Sequence, residues 1–119
     1  MARKPIKWVG SSCSDLREFP ADVRRVMGYA LFLAQMGRKH PDAKPLRGFG
    51  GASVLEVVEN YRGGTYRAVY TVKFAEAVYV LHAFQKKSKS GITTPKRDVE
   101  LIKARLQDAQ AHHDGRMYK

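Results

Sequence analysis

The chain is poor in cysteine and in acid. Cys13 is the single cysteine among 119 residues, so no internal disulfide can form and no metal site can be built from thiolates. The four histidines do not replace them, since none stands four residues from another, the spacing that brings two imidazoles to one side of a helix. No cofactor or metal is therefore expected. No apolar run approaches the ~20 residues that span a bilayer, and the opening MARKPIKWVG lacks the apolar centre of a signal peptide. These absences predict a soluble, cytoplasmic protein with no membrane contact. Gly48, Gly50 and Gly51 lack a following Gly-Lys-Ser/Thr and lead into a strand, which excludes both helix-opening phosphate fingerprints. No carboxylate pair, Ser/His/Asp pattern or internal repeat stands out.

The shortage of acid is the informative one. Lys and Arg number 22 against 11 Asp and Glu, a formal charge of +11. That imbalance points to a polyanionic partner, either nucleic acid or an acidic protein segment. A solvated basic face is the plain alternative. The charge is also concentrated. From Tyr61 to Arg97 the cations are Arg62, Arg67, Lys73, Lys86, Lys87, Lys89, Lys96 and Arg97, the lone acid is Glu76, and the net is +7.

At this length residues 1–119 form one domain with a modest core. Ile6 to Val9 reads as a short strand, and a short helix runs from Ser14 to near Phe19. Pro20 opens a longer helix, because Val23, Val26, Met27, Ala30, Leu31 and Ala34 recur at three- and four-residue spacing and Gly37 supplies a stop. Arg38 to Gly51, rich in proline and glycine, reads as loop. Three β-rich runs follow, Ser53 to Asn60, Tyr66 to Lys73 and Ala77 to Phe84, joined closely enough for an antiparallel meander. Thr94 as N-cap and Pro95 as first residue then start a helix reaching Gln110, with Val99, Ile102, Leu106 and Ala109 on one stripe. Residues from His112 onward read as frayed. The expected fold class is α+β: two N-terminal helices packed on a small, mostly antiparallel four-stranded sheet, plus a C-terminal helix.

The segment Ala77 to Arg97 is where chemistry is expected. Val78, Val80 and Phe84 alternate with Tyr79 and Leu81, and the strand then empties into Gln85, Lys86, Lys87, Ser88 and Lys89, pinned at its far end by the helix start. In the preceding strand, alternation sets Tyr66, Ala68, Tyr70 and Val72 on one face and Arg67, Val69, Thr71 and Lys73 on the other. Arg67 thus sits mid-sheet and needs a carboxylate or a phosphate. Glu56 and Glu59 are the available carboxylates, while the neighbouring Lys86 and Lys87 favour the phosphate. His82 has the reference pKa of a general base, ~6.5, yet lies in an apolar strand where a hydrogen-bonded core role is commoner. Tyr61, Tyr66 and Phe49 stand at loop edges, where aromatics stack on unpaired bases.

The order of elements, with TYRAVY at Thr65 to Tyr70, VYVLHAFQKKS at Val78 to Ser88 and the Thr94-Pro95 pair, resembles the RelE/ParE toxin superfamily, and within it the phage-derived HigB-like branch. The resemblance runs from Trp8 to about Ala109. It implies a RelE-like fold and the toxin of a type II toxin–antitoxin system, a ribosome-dependent mRNA endoribonuclease. The implied partners are mRNA, the ribosome and a cognate antitoxin, a small helix-turn-helix protein encoded by the adjacent gene. Arg67 matches the strand arginine that contacts the scissile phosphate, and Lys86 and Lys87 match basic residues after the last strand, all three expected to face solvent in a cleft. Tyr70 and His82 are further catalytic candidates. Arg62, Tyr66, Lys73, Lys89, Lys96 and Arg97 are expected to bind RNA. The superfamily also contains gyrase poisons that cut nothing, so inhibition of gyrase is the alternative, as is a basic phage-derived RNA-binding module.

Overall fold

A computed structural model describes residues 3–86 and 94–115, with the element order β1 (Ile6–Trp8), α1 (Ser12–Arg17), α2 (Ala21–Gln35), β2 (Ala43–Pro45), β3 (Val54–Tyr61), β4 (Gly64–Thr71), β5 (Val78–Lys86) and α3 (Lys96–His113). The strands form one mixed sheet in the order β1-β5-β4-β3-β2. β3, β4 and β5 are the antiparallel meander expected from the sequence. β1 lies parallel to β5, with Ile6 opposite Val78 and Trp8 opposite Val80.

The expected four-stranded sheet is one strand short. β2 arises inside the stretch read as loop, pairing Ala43 with Val57 and Pro45 with Leu55. Three residues are too few to show an alternation, and proline is admitted because an edge strand has one side with no ladder to complete. Two helix starts also move. α1 begins at Ser12 rather than Ser14 and ends at Arg17, and Pro95 occupies the N-cap of α3, leaving Thr94 outside it. The helix also runs on through His112 and His113, which read as frayed. The Tyr79 hydroxyl lies 2.8 Å from His112 Nδ1, and His113 Nε2 lies 3.6 Å from Glu76 Oε1, so this end has partners on the body. Residues 116–119 lie outside the described residues.

Alternation divides the apolar side chains between the two faces. On one face α1 and α2 bring Leu16, Val23, Met27, Ala30, Leu31 and Ala34 onto Leu55, Val57, Ala68, Tyr70, Val78 and Val80. On the other, Ile102 and Ala109 of α3 pack with Val54, Val69, Tyr79 and Leu81. Fully buried side chains such as Met27 and Ile102 each contribute roughly 1.5 to 3 kcal/mol of burial, and the 3.6-residue period of α2 is what delivers five of its residues to one stripe.

One irregularity decides what β5 displays. The register against β4 runs Tyr70 to Val80 and then Val69 to His82, so Leu81 is an extra residue. A strand that gains one residue exchanges the faces of everything after it. Phe84 therefore lies with Tyr79 and Leu81 on the α3 side, not with Val78 and Val80 as alternation alone suggests. His82 and Lys86 follow Phe84 to that side, and Ala83 and Gln85 turn to the side of α1 and α2.

Arg105 fastens α3 across this point. Its guanidinium donates to the Leu81 carbonyl at 2.9 Å and to Ser11 Oγ at 3.1 Å. Gly10, at φ 57°, makes room for it: a Cβ there would stand 2.8 Å from the guanidinium carbon. Among the described residues no helix is long and apolar enough to cross a membrane.

Candidate functional site

The polar side chains gather on the α3 side of the sheet, toward the β3–β4 turn. Val58 pairs with Arg67 and Arg67 with Phe84, while Asn60 pairs with Thr65 and Thr65 with Lys86. Because side chains two residues apart along a strand share a face, Glu56, Asn60, Thr65, Arg67, His82 and Lys86 all belong to this one. Arg67 and Lys86, two of the residues expected to act together, are thus brought to the same face by the β5 bulge.

Arg67 is not the solvent-facing residue the sequence suggests. It is 3% exposed, and its Nη1 donates to Glu56 Oε2 at 3.1 Å. Of the two carboxylates considered, the diagonal neighbour Glu56 is the partner, while Glu59 lies opposite Tyr66 on the other face. The pair is lopsided, since Glu56 retains 17% side-chain exposure against 4% for Arg67. Beside it a hollow of about 310 Å³ is lined by Asp42, Lys44, Glu56, Val58, Glu59 and Asn60. Three carboxylates against one ammonium make that side hostile to a phosphate. An anion reaching Arg67 is better received from the Lys86 side.

His82 is a joint rather than an exposed base. It is 6% exposed, its Nε2 lies 2.8 Å from Asp98 Oδ1, and its Nδ1 lies 3.4 Å from Arg105 Nη1. An arginine can only donate, so Nδ1 is the acceptor and the ring proton sits on Nε2, given to Asp98. The ring also stacks on Phe84, with centroids 4.6 Å apart. Both nitrogens are spoken for. Asp98 and Arg105 were invisible as partners in the sequence, because both stand on a helix whose placement over β5 sets the contact.

The remaining expectations divide by position. Tyr70 is fully buried on the α1 and α2 side, opposite Arg67. Burial pushes its phenol up to about 12, and its hydroxyl has no partner among the described residues. Tyr70 thus stands apart from Arg67, His82 and Lys86, the other described catalytic candidates. Lys73 lies beyond the far end of β4 from Lys86, its ammonium 5.7 Å from the Phe74 ring centroid. The structure does not unite it with the others. Lys96 and Arg97 are exposed at the start of α3, next to Asp98. Lys87 and Lys89 lie outside the described residues.

Arg62 and Tyr66 belong to a second hollow, on the opposite face. About 430 Å³ in volume, it is lined by Pro20, Tyr61, Arg62, Gly64, Tyr66 and Gln85 among others. Tyr66 is held edge-on against Phe19, with centroids 5.0 Å apart, and the Arg62 guanidinium lies 5.3 Å from the Tyr61 ring centroid. Gln85 was grouped with the basic loop in the sequence, and only the bulge turns it here.

Over residues 14–107 the sequence matches the family described as phage derived protein Gp49-like (DUF891). That span runs from α1 into α3 and contains Glu56, Arg67, His82, Lys86 and Asp98. No curated protein matches. Among solved structures, a chain of the toxin–antitoxin complex RelBE2 from Mycobacterium tuberculosis is similar at 20% identity, covering 74% of this chain and 97% of that one, with a TM-score of 0.46.

Proposed function

The chain belongs to the phage-derived Gp49-like family, and on that footing we propose that it is the toxin of a type II toxin–antitoxin system, acting as a ribosome-dependent mRNA endoribonuclease. The observation that carries this reading is the placement of Arg67 and Lys86 on one sheet face, at the strand end where the basic segment begins. The TYRAVY and FQKKS motifs support it.

In the reaction, the 2′-oxygen of a ribose attacks the adjacent phosphorus. The 2′-O–P bond forms, the P–O5′ bond breaks, and a 2′,3′-cyclic phosphate is left. One proton goes from the 2′-hydroxyl to a base and another reaches the departing 5′-oxygen from an acid. Lys86 and Lys87 are the candidates for these transfers. Arg67, steered by Glu56, would donate to the equatorial oxygens of the phosphorane, where fixed donors stabilise charge that appears only in the transition state. Lys89, Lys96 and Arg97 would hold flanking phosphates, and Arg62 and Tyr66 would meet the RNA beside them. The cognate antitoxin, a small helix-turn-helix protein from the adjacent gene, would neutralise the basic surface.

One observation favours a second reading. Arg67 is closed in and already paired with Glu56, which suits a toxin that binds gyrase and cuts nothing. Induction of the chain followed by primer extension on ribosome-bound mRNA separates the two. Cleavage within translated codons, lost in a folded Lys86→Ala variant, is the result expected. Intact mRNA together with inhibited supercoiling by purified gyrase would replace this reading with the second.

A further inference from the structure

The β3–β4 turn carries an arginine where its backbone disfavours one. Tyr61 and Gly64 pair as the last rung, leaving Arg62 and Gly63 as a two-residue turn with φ of 49° and 83°. Positive φ at both central residues marks a type I′ turn, in which Asn-Gly is the favoured sequence. Side chains with a Cβ crowd the following carbonyl there. Among the described residues Arg62 is the one non-glycine with positive φ, and strain of this kind gathers at sites of function.

What the strain sets in place is a binding surface. The guanidinium is carried over the Tyr61 ring, forming one wall of the 430 Å³ hollow, and Tyr66, fixed by Phe19, forms another. The Gln85 amide borders it. Gly64 keeps the floor open, since a Cβ would stand 2.9 Å from Gln85 Nε2 and 3.1 Å from the Tyr66 ring. An aromatic platform, a planar cation backed by a second ring and one amide are the groups that grip an unstacked base. Resting on the RNA-cutting reading above, we propose that this hollow binds an unpaired nucleobase flanking the scissile phosphate, adenine in preference. A glutamine amide pairs one donor and one acceptor, and adenine matches it on its Hoogsteen edge, N6 and N7, as well as on its pairing edge. Cytosine and uracil match on the pairing edge alone, and guanine shows two acceptors, O6 and N7, on its Hoogsteen edge. Gln85 and Lys86 are consecutive and point to opposite faces, so RNA passing over the end of β5 meets Lys86 with a phosphate and Gln85 with a base.

The test uses the full chain, made by cell-free synthesis with ¹⁵N label and titrated with AMP, UMP and inorganic phosphate. AMP is expected to shift the Gly63 and Gly64 amides and the Gln85 side-chain amide in a saturable way, more tightly than UMP, with phosphate leaving them unmoved. Gln85→Ala should weaken AMP about tenfold, the loss of roughly one hydrogen bond. Gly64→Ala, whose methyl would displace the flexible Gln85 amide and press on the Tyr66 ring, should abolish the shifts. Arg62→Asn should yield a more heat-resistant protein that binds AMP less well. Equal shifts with phosphate, or shifts confined to other residues, overturn the proposal. So does an acidic peptide that moves these resonances when AMP does not. Base binding without mRNA cleavage on induction would sink the nuclease reading and leave this site standing, whereas cleavage without base binding would do the reverse.

Discussion

Arg67 carries two demands at once, and its variants can part them. Truncation to alanine leaves the Glu56 carboxylate half-buried without its cation, at a cost of about 3 kcal/mol, the lower end for a broken buried pair because Glu56 retains some solvent. Adding Glu56→Gln removes the stranded charge, so the double variant should melt above Arg67→Ala alone. If cleavage stays lost in that stabilised double variant, Arg67 acts on the reaction; if toxicity returns with stability, its part is structural. Tyr70 poses the simpler case. Its hydroxyl is buried without a partner among the described residues, and Tyr70→Phe should leave toxicity intact and stability equal or higher. The sign of its pH dependence follows from a phenol pushed up to about 12 against an ordinary 10.0. Below pH 10 folded and unfolded chains both keep the proton, and between pH 10 and 12 only the unfolded chain loses it, so stability falls across that window. Denaturant midpoints measured from pH 9 to 12 should fall less steeply for Tyr70→Phe than for the parent.

At the scale of elements, α3 is the part whose attachment is concentrated in a few polar groups. Arg105 reaches the Leu81 carbonyl, Ser11 and His82, and Asp98 takes the other side of His82. Arg105→Ala should cost about 2 kcal/mol, the value of hydrogen bonds to a charged group, and amide hydrogen exchange should quicken in α3 well before β3 and β4. Arg105→Lys should restore little, because one ammonium cannot serve Leu81 and Ser11 from a planar fork. A uniform rise in exchange across the sheet would contradict this local role. His82→Gln should likewise lose stability before it loses toxicity. The same elements show what a sequence discloses. α2 and the meander were legible because their periods recur over many residues, and the Arg67–Glu56 pair was legible as one of two options across a neighbouring strand. β2 was not, being three residues long. The partnership of His82 with Asp98 was not either, since it depends on where a helix sixteen residues later is laid down.

The molecule as a whole is a basic body, +11 in 119 residues, and on the proposed toxin reading its encounter with an acidic antitoxin should be steered by charge. Association rates measured by stopped flow should fall by at least tenfold between 20 mM and 500 mM salt, as the screening length shrinks from roughly 20 Å to a few ångströms, with dissociation changing less. A salt-independent rate would count against steering. The division of labour between the two sides of this body hangs on Leu81, the extra residue opposite β4. Residues before it obey one parity and residues after it the other. A point substitution anywhere in β5 edits one address, but straightening the strand at its full length would rewrite every address downstream: Phe84 and Lys86 would be delivered among the side chains of α1 and α2, and Gln85 to the face of Arg67. Deleting Leu81 lets Val80 and His82 follow one another against Tyr70 and Val69, so a chain without it should lose the packing of one buried leucine yet keep Lys86 on the face of Arg67.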